Sequence, residues 1–218
     1  MEEEGMEKRR YYQIKRFMDV IGALLGLVFL SPLFFIIAIL IKLTSRGPVI
    51  YKEIRVGKGF KEFTFFKFRS MCYDAEGKRH KFLHMDETPG PVFKIRKDPR
   101  ITSVGKFLRR TSLDELPQLW NILKGDMSFV GPRPPRPDEV VHYTQYHKRR
   151  LEVKPGLTCL WQISGRSDLL ISAKEEGRNG FEEWIDMDIK YIDSQSLWLD
   201  IKILLKTIPA VISCRGAY

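Results

Sequence analysis

Asp114 and Glu115 are adjacent acidic residues in a basic stretch of the sequence, close to Lys106, Arg109 and Arg110. A carboxylate at a helix N-terminus stays ionised, because the unpaired N–H groups and the positive end of the helix dipole favour negative charge there. Such a carboxylate can act as a nucleophile, or as a magnesium ligand next to a bound phosphate. Acidic residues are also common in first helical turns without any catalytic role, so the pair alone does not establish an active site.

Basic side chains elsewhere could hold the phosphate groups on which such a carboxylate acts. They occur in a segment with strand-like alternation and in the proline-stiffened loop 131–137, where each proline fixes φ and removes a backbone donor. Arginine on a rigid loop is suited to bidentate phosphate contacts, although most arginines are only solvated. The loop could instead be a polyproline docking ligand. The candidate residues are Lys67, Arg69, Arg109, Arg133, Arg136 and Arg166.

Two further patterns have the spacing of metal ligands, but the surrounding sequence lacks the other features of a metal site. Asp186-Met187-Asp188 has the spacing of the aspartate pair in metal-dependent glycosyltransferases, but it falls in a helical pattern and is expected on a solvated face. His80 and His84 have the i, i+4 spacing of zinc ligands, but no third ligand stands at a matching spacing, so both are expected on the surface. The sequence contains no glycine-rich phosphate loop and no nucleophile-elbow serine motif.

The segment Val20–Ile41 carries no charge over 22 residues, which is about 33 Å as one straight helix and long enough to cross a bilayer. Ser31-Pro32 lies at its centre, and proline kinks helices. Each half would be about 15–18 Å long, which is too short for a hydrocarbon core of about 30 Å. Basic residues flank both ends, which favours the cytoplasmic side for both. We therefore expect a re-entrant hairpin, with the Ser31 hydroxyl satisfying a freed carbonyl; a true span and a buried core helix are the alternatives.

The composition of the 218-residue chain limits the remaining possibilities. Its formal net charge of +10 and pI of about 9.5 favour anionic partners such as nucleic acid, a membrane surface or phosphorylated small molecules. The three widely separated cysteines exclude a disulfide scaffold, and the mean hydropathy of -0.23 excludes a polytopic membrane protein. Asp19 is spaced to pair with Lys15 or Arg16 on a helix, which would neutralise it at the membrane surface.

The elements that position these residues are expected to form an α+β fold that is mainly α-helical. Alternating residues predict a small β-hairpin within 47–70. A helix beginning at Ser112 would have Glu115 in a capping box and would end at Gly125. The last helix carries Trp198 and a broad apolar face, so it either lies in the membrane interface or covers the core. Helices are predicted over residues 102–108, 112–124, 138–152, 181–192 and 197–212.

A longer pattern joins these features. The basic-flanked apolar hairpin with Ser-Pro is followed by DPRITSVGKFLRRTSLDELPQLWNILKGDMSFVGPRP and then by KPGLTCLWQISGR. This combination resembles the bacterial sugar transferase family, the monotopic polyprenyl-phosphate phosphoglycosyl transferases, from about Lys15 to Tyr218. The chain is similar to the small form of the family. The implied organisation is an N-terminal tail (1–14), a re-entrant membrane helical hairpin (15–46) and a catalytic domain (47–218). Interfacial amphipathic helices would surround an active site on the cytoplasmic face of the bacterial inner membrane.

The resemblance implies transfer of a sugar-1-phosphate from a UDP-sugar to undecaprenyl phosphate, with release of UMP. The implied route is ping-pong with a phospho-aspartyl intermediate and Mg²⁺, and it would initiate synthesis of an exopolysaccharide, a lipopolysaccharide or another glycoconjugate. Asp114 matches the nucleophile of the family's Asp-Glu pair, Glu115 matches its partner, and both are implied metal ligands. The other matching positions are Lys15, Arg16 and Asp19 at the membrane lip, Ser31-Pro32 at the helix break, Arg133 in the Pro-Arg-Pro motif, and Lys67, Arg69 and Arg166 near the phosphates.

PGLTCLWQISGR departs from the family's commonest pattern, with Cys159 where glycine is usual and Trp161 where alanine is usual. This version is similar to enzymes that use UDP-galactose or UDP-glucose rather than N-acetylated sugars.

The implied partners are the UDP-sugar, undecaprenyl phosphate and the bilayer, without nucleic acid; homo-oligomerisation is left open. The residues alone leave two other functions open. The charge of +10 would suit a membrane-tethered nucleic-acid-binding protein, and the proline-rich loop would suit a non-catalytic assembly protein.

Overall fold

The computed structural model describes residues 2–88, 90–165 and 167–213. Within them the chain is mainly helical, with two small two-stranded sheets. The helices are α1 Glu2–Phe29, α2 Ser31–Thr44, α3 Ser103–Arg110, α4 Gln118–Lys124, α5 Pro137–Val140, α6 Gln145–Lys148, α7 Leu160–Ile163, α8 Ser167–Glu175, α9 Gly180–Asp193 and α10 Leu197–Ile212. The strands are β1 Ile50–Val56, β2 Glu62–Phe68, β3 Ser128–Val130 and β4 Gly156–Thr158. Four short 3₁₀ segments are Lys58–Phe60, Arg79–Met85, Leu113–Glu115 and Arg149–Glu152.

The N-terminal apolar segment is broken where the Ser-Pro pair predicts. α1 ends at Phe29, α2 begins at Ser31, and the two helices are bent by 60°. The Ser31 hydroxyl donates a hydrogen bond of 2.8 Å to the carbonyl of Val28, which confirms the predicted satisfaction of a freed carbonyl. No one helix among the described residues has the length and apolar composition of a membrane span, whereas this bent pair meets both criteria together. Residues 2–14 continue α1 in the N-terminal direction.

The bent pair has one packed side and one uncovered side. Ala23 of α1 lies in a cluster with α4 and β2, and Ile37 of α2 lies in a cluster with β2 and α3. An uncovered apolar surface of this kind marks contact with lipid or with another protein. The large apolar side chains of the pair that are 60–78% exposed are Met6, Phe17, Val28, Phe29, Phe35 and Leu43.

The charged residues at the start of the bent pair bind the body of the protein. Asp19 accepts hydrogen bonds from the Ser128 hydroxyl at 3.0 Å and from the next backbone N–H at 2.9 Å. Lys15 lies 2.6 Å from Asp200 of α10, and Arg16 donates to two carbonyls at the end of α4. The hydrogen-bond partners of Asp19 thus lie on another element rather than on its own helix, although Lys15 and Arg16 still attract its carboxylate.

The predicted hairpin is confirmed. β1 and β2 are antiparallel, and Tyr51 lies opposite Lys67 in their register. Because successive side chains of a strand point to opposite faces, residues 51, 53 and 55 share a face, as do residues 65 and 67 and the following Arg69. This face borders the cavity described below. β3 and β4 form a parallel pair of only three residues each, which is too short to show in the sequence pattern.

Two predicted helices are divided in the structure. Ser112 has φ +56° and makes no cap hydrogen bond, so the predicted capping box is wrong. The 3₁₀ turn Leu113–Glu115 and Pro117 precede α4, because proline has no N–H to continue a helix but is tolerated at a helix start. Gly125, at φ +94°, ends α4 as predicted. The predicted helix 138–152 is broken because Thr144 caps a new helix, α6.

The C-terminal part of the chain holds the main core. α9 and α10 confirm the predicted helices, whereas α7 and α8 fall outside the predicted elements. Trp161 of α7 stacks on Trp184 of α9 with ring centroids 4.6 Å apart. The cluster around them includes residues of β3, α8 and α10, so α10 covers core on one side. Its other side exposes Trp198, Leu205, Ile208 and Ile212, so the expectation that this helix covers the core is confirmed, and its placement in the membrane interface stays a prediction.

Candidate active site

A cavity of about 430 Å³ lies between the β1–β2 hairpin, α3, the 3₁₀ turn before α4 and the proline-rich loop. This size is within the range of small-molecule sites. The structure brings together seven of the predicted site residues, which come from four separate parts of the sequence. These lining residues are Lys67, Arg69, Arg109, Asp114, Glu115, Arg133 and Arg136. The eighth, Arg166, lies outside the described residues.

The acidic pair occupies the 3₁₀ turn Leu113–Glu115 rather than the first turn of a long helix. Asp114 is 8% exposed and lines the cavity, while Glu115 lines the cavity and also an apolar groove on the other side of the turn. Burial lowers the pKa of both Lys67 and Arg109, and the carboxylate of Asp114 opposes this shift because it attracts their charged forms. Asp114 therefore interacts directly with cationic side chains, and not with the dipole of a long helix as the sequence predicted.

Lys67 is the cationic group whose protonation is most sensitive to its surroundings. Burial lowers the pKa of Lys67 to about 8, since the surrounding protein disfavours its charged form. Arg109 and Arg55 lower it further by repulsion, and Glu53 and Asp114 oppose them. A bound phosphate would stabilise the charged form of this lysine.

Several arginines of the cavity have buried N–H groups without a hydrogen-bond partner among the described protein atoms. Arg69 donates through Nη2 to the carbonyl and hydroxyl of Ser45 at 2.9 and 2.8 Å, but its Nε and Nη1 have no hydrogen-bond partner. Nη1 of Arg133 is also buried without a hydrogen bond, although it lies 3.9 Å from a carboxylate oxygen of Glu139. Gly47, at φ +112°, leaves room for Arg69, since a Cβ there would lie 2.3 Å from Nη1. Buried donors without partners are costly, so these arginines are suited to an anionic ligand.

A network of ion pairs that the sequence analysis missed joins the hairpin to the proline-rich loop. Glu53 accepts hydrogen bonds from Arg55 at 2.6 and 2.8 Å and lies 2.9 Å from Arg136. Arg55 also donates to the carbonyl of Pro134 at 3.0 Å. Strand alternation could have revealed these residues, because Glu53 and Arg55 share a hairpin face with Lys67. The network holds the loop against the floor of the cavity.

A buried ion pair supports the same loop from behind. Arg150 Nη2 lies 2.7 Å from Asp188 Oδ2, and both side chains are at most 1% exposed. Arg150 also donates to the carbonyl of Arg133 at 3.2 Å. The prediction of a solvated face is wrong for Asp188, which follows Trp184 by four residues and thus lies on the buried face of α9. Asp186 does lie on the surface.

The donor set of the cavity limits the kind of metal it could hold. No group of three or more His, Cys, Asp or Glu side chains in the described part of the chain is arranged to bind a metal ion. Mg²⁺ is commonly held by one or two carboxylates together with substrate phosphates and water. Asp114 and Glu115 supply two carboxylates beside the arginines of the cavity, so the residues present fit Mg²⁺ that arrives with a phosphorylated substrate.

The family model described as bacterial sugar transferase matches residues 10–214. A galactosyl transferase, CpsE, of Streptococcus agalactiae is 46% identical over 206 residues, covering 93% of this chain and 43% of that protein. The undecaprenyl-phosphate galactose phosphotransferase of Salmonella typhimurium is 41% identical, covering 99% of this chain and 44% of the relative. The exopolysaccharide production protein ExoY of Rhizobium meliloti is 39% identical, with coverage of 100% and 93%. The chain thus spans less than half of the first two relatives and nearly all of the third. It belongs to the bacterial sugar transferase family.

Proposed function

We propose that this chain transfers a sugar-1-phosphate from UDP-galactose or UDP-glucose to undecaprenyl phosphate and releases UMP. The observation that carries the proposal is the cavity in which Asp114 and Glu115 lie among cationic side chains from several separate elements. The names of two relatives, a galactosyl transferase and an undecaprenyl-phosphate galactose phosphotransferase, support the substrate classes. Such a reaction would initiate a bacterial polysaccharide, in agreement with the third relative's role in exopolysaccharide production.

In the first step a carboxylate oxygen of Asp114 attacks the phosphorus that carries the sugar. The bond between that phosphorus and the oxygen of the UMP phosphate breaks, and its electron pair leaves with UMP. Lys67, Arg69, Arg109 and Arg133 bind the phosphate oxygens and stabilise the charge that moves onto UMP. The product is a sugar phosphate joined to Asp114 as an acyl phosphate.

In the second step a phosphate oxygen of undecaprenyl phosphate attacks the same phosphorus. The bond to Asp114 breaks, the carboxylate is restored, and the sugar leaves as a polyprenyl diphosphate sugar. Glu115 borders both the polar cavity and the apolar groove, so it lies where the acceptor's phosphate would meet its hydrocarbon chain. Mg²⁺ bound by Asp114 and Glu115 together with the diphosphate would neutralise charge on the substrate.

The acceptor's hydrocarbon chain lies in lipid, so the enzyme has to work at a membrane surface. We place the α1–α2 pair in the bacterial inner membrane as a re-entrant hairpin, with the cavity on the cytoplasmic side. The uncovered apolar side of the pair, its 60° bend and the basic residues at both ends support this arrangement. The exposed apolar face of α10 would lie in the membrane interface beside it.

The proposal is tested by release of UMP from UDP-galactose or UDP-glucose in the presence of undecaprenyl phosphate and Mg²⁺. Asp114→Asn should lower the rate by at least about 10³-fold, because amide nitrogen cannot replace the nucleophile. Asp186→Asn, an equal change on the exposed side of α9, serves as the matched control. A donor labelled in the transferred phosphate should label the wild-type protein but not Asp114→Asn.

The outcomes separate the parts of the proposal. Absence of UMP release from every UDP-sugar by the wild-type protein would contradict the transfer itself. Normal release by Asp114→Asn would contradict the phospho-aspartyl route. A UDP-N-acetylgalactosamine arm tests the choice of donor. Retention of DNA at about 50 mM salt, lost as the salt rises, would instead support the nucleic-acid-binding alternative.

A further inference from the structure

A second cavity, of about 380 Å³, lies on the other side of the turn that carries the acidic pair. We call it the α10 groove, because α10 forms one wall and residues 111–116, which include the 3₁₀ turn, form the other. The surface that lines the groove is almost entirely apolar. The residues that define the groove are Leu113, Leu116, Phe129, Leu157, Leu204 and Ile208.

The few hydroxyl groups in the groove wall are already satisfied by other protein atoms. Thr207 donates to the carbonyl of Ile203 at 2.8 Å, and the hydroxyls of Thr158 and Thr207 are 2.7 Å apart. A polar ligand such as a sugar would therefore find few partners in this wall. The chemistry of the wall favours a hydrocarbon.

The groove adjoins the catalytic cavity. Ser112, Glu115, Leu157 and Gln162 line both spaces. An amphiphile can therefore place its anionic end among the arginines of the cavity while its hydrocarbon follows the groove. Ile208, on the outer wall, is 58% exposed, so the groove opens on the same apolar face of α10 as Leu205.

We propose that the α10 groove binds the isoprene units of the acceptor that lie next to its phosphate. This inference rests on the proposed function and adds to it the path of the polyprenyl chain. The groove holds the chain's first units against the turn that carries Asp114, and the remainder continues into the bilayer. The groove thereby orients the acceptor phosphate toward the phospho-aspartyl group.

The path can be mapped without relying on catalysis. The probe is geranyl phosphate with a photoreactive diazirine on its terminal isoprene unit, added to the full-length protein in detergent. We expect cross-links to peptides of α10 and of the 113–116 turn, and competition by undecaprenyl phosphate but not by phosphatidylglycerol. Cross-links confined to α1 and α2 would overturn the proposal, as would equal competition by both lipids.

Kinetics provide the second readout. Ile208→Asn should raise the KM for undecaprenyl phosphate about tenfold, through lost apolar contact, while kcat and the KM for the UDP-sugar change little. The matched control is Leu205→Asn, which alters a side chain of similar exposure (61%) outside the groove. An equal rise in both variants would overturn the proposal, since it would reflect general contact with lipid. If the wild-type protein releases no UMP at all, the proposed function has failed, and the cross-linking map still tests the groove.

Discussion

Arg150 offers a sharp test of how the interior of this protein supports its cavity. Its guanidinium lies 2.7 Å from Asp188, donates to the Tyr143 hydroxyl at 2.7 Å and donates to the carbonyl of Arg133 at 3.2 Å. Arg150→Met keeps much of the side-chain length but removes the charge and every donor. Asp188 would then be buried without a counter-ion. Loss of one partner of a buried pair typically costs about 3–5 kcal/mol of unfolding free energy.

The structure indicates that Arg150→Met loses unfolding free energy in the upper part of that range. Both side chains of the pair are at most 1% exposed, so water cannot replace the lost partner. The guanidinium also lies 4.5 Å from the Trp184 ring centroid, a cation–π contact that methionine cannot make. For a chain of this size about 1 kcal/mol corresponds to roughly 2–4 °C in Tm, so we expect a decrease of about 10–20 °C. The loss is a large share of the total stability of about 5–15 kcal/mol typical of a domain.

The pH dependence of the variant has a definite sign. Burial raises the pKa of Asp188 to about 6 even with Arg150 present, and removal of Arg150 raises it further. The folded state then binds a proton at pH values where the unfolded carboxyl, with a pKa of about 3.9, does not. The stability of Arg150→Met should therefore rise as the pH falls from about 8 toward 4, by at most about 1.4 kcal/mol per pH unit.

Thermal unfolding in detergent, followed by tryptophan fluorescence at several pH values, measures both effects. Arg149→Met is the matched control, because the neighbouring Arg149 pairs with Asp193 on the surface, where ion pairs contribute about 0–1 kcal/mol. Arg150→Met combined with Asp188→Asn should recover part of the loss, since the uncompensated charge is gone. A Tm within 2–3 °C of wild type for the single variant, or a Tm that does not rise on acidification, would refute the reasoning.

Three further predictions concern the cavity and the membrane helices. UDP binding, measured by calorimetry, should weaken up to about tenfold per pH unit above pH 8 as Lys67 loses its proton, and Lys67→Met should remove that dependence. Gly105→Ala should lower stability by about 1–3 kcal/mol and activity with it, because a Cβ there would lie 1.8 Å from the Ser70 carbonyl oxygen; Gly5→Ala, with nothing within 4 Å, should not. Cysteines at Gly5 and Glu175, in a cysteine-free background, should react with an impermeant maleimide from the same side of the membrane. Labelling from opposite sides would show that the bent pair crosses the bilayer.

Features that depend on neighbouring residues could be predicted from the sequence. The helix break at Ser31-Pro32 follows from the missing N–H of proline, and the end of α4 follows from the freedom of Gly125 at positive φ. The hairpin and the two C-terminal helices follow from periods of 2 and 3.6 residues. The acidic pair and its basic neighbours were also predicted as candidates, because they form local patterns with recognisable chemistry.

Features that depend on which elements meet required the tertiary structure. Asp188 looked solvated because spacing alone did not show that α9 buries it against Arg150. Asp19 could have formed ion pairs along its own helix, but its carboxylate accepts hydrogen bonds from two donors on β3. Ser112 left the helix because Pro117 prevents an unbroken helix from starting there, and this moved the acidic pair into a 3₁₀ turn between a polar cavity and an apolar groove. Burial and long-range pairing are properties of the packed chain, and they decide which charges are held apart from water and which face a substrate.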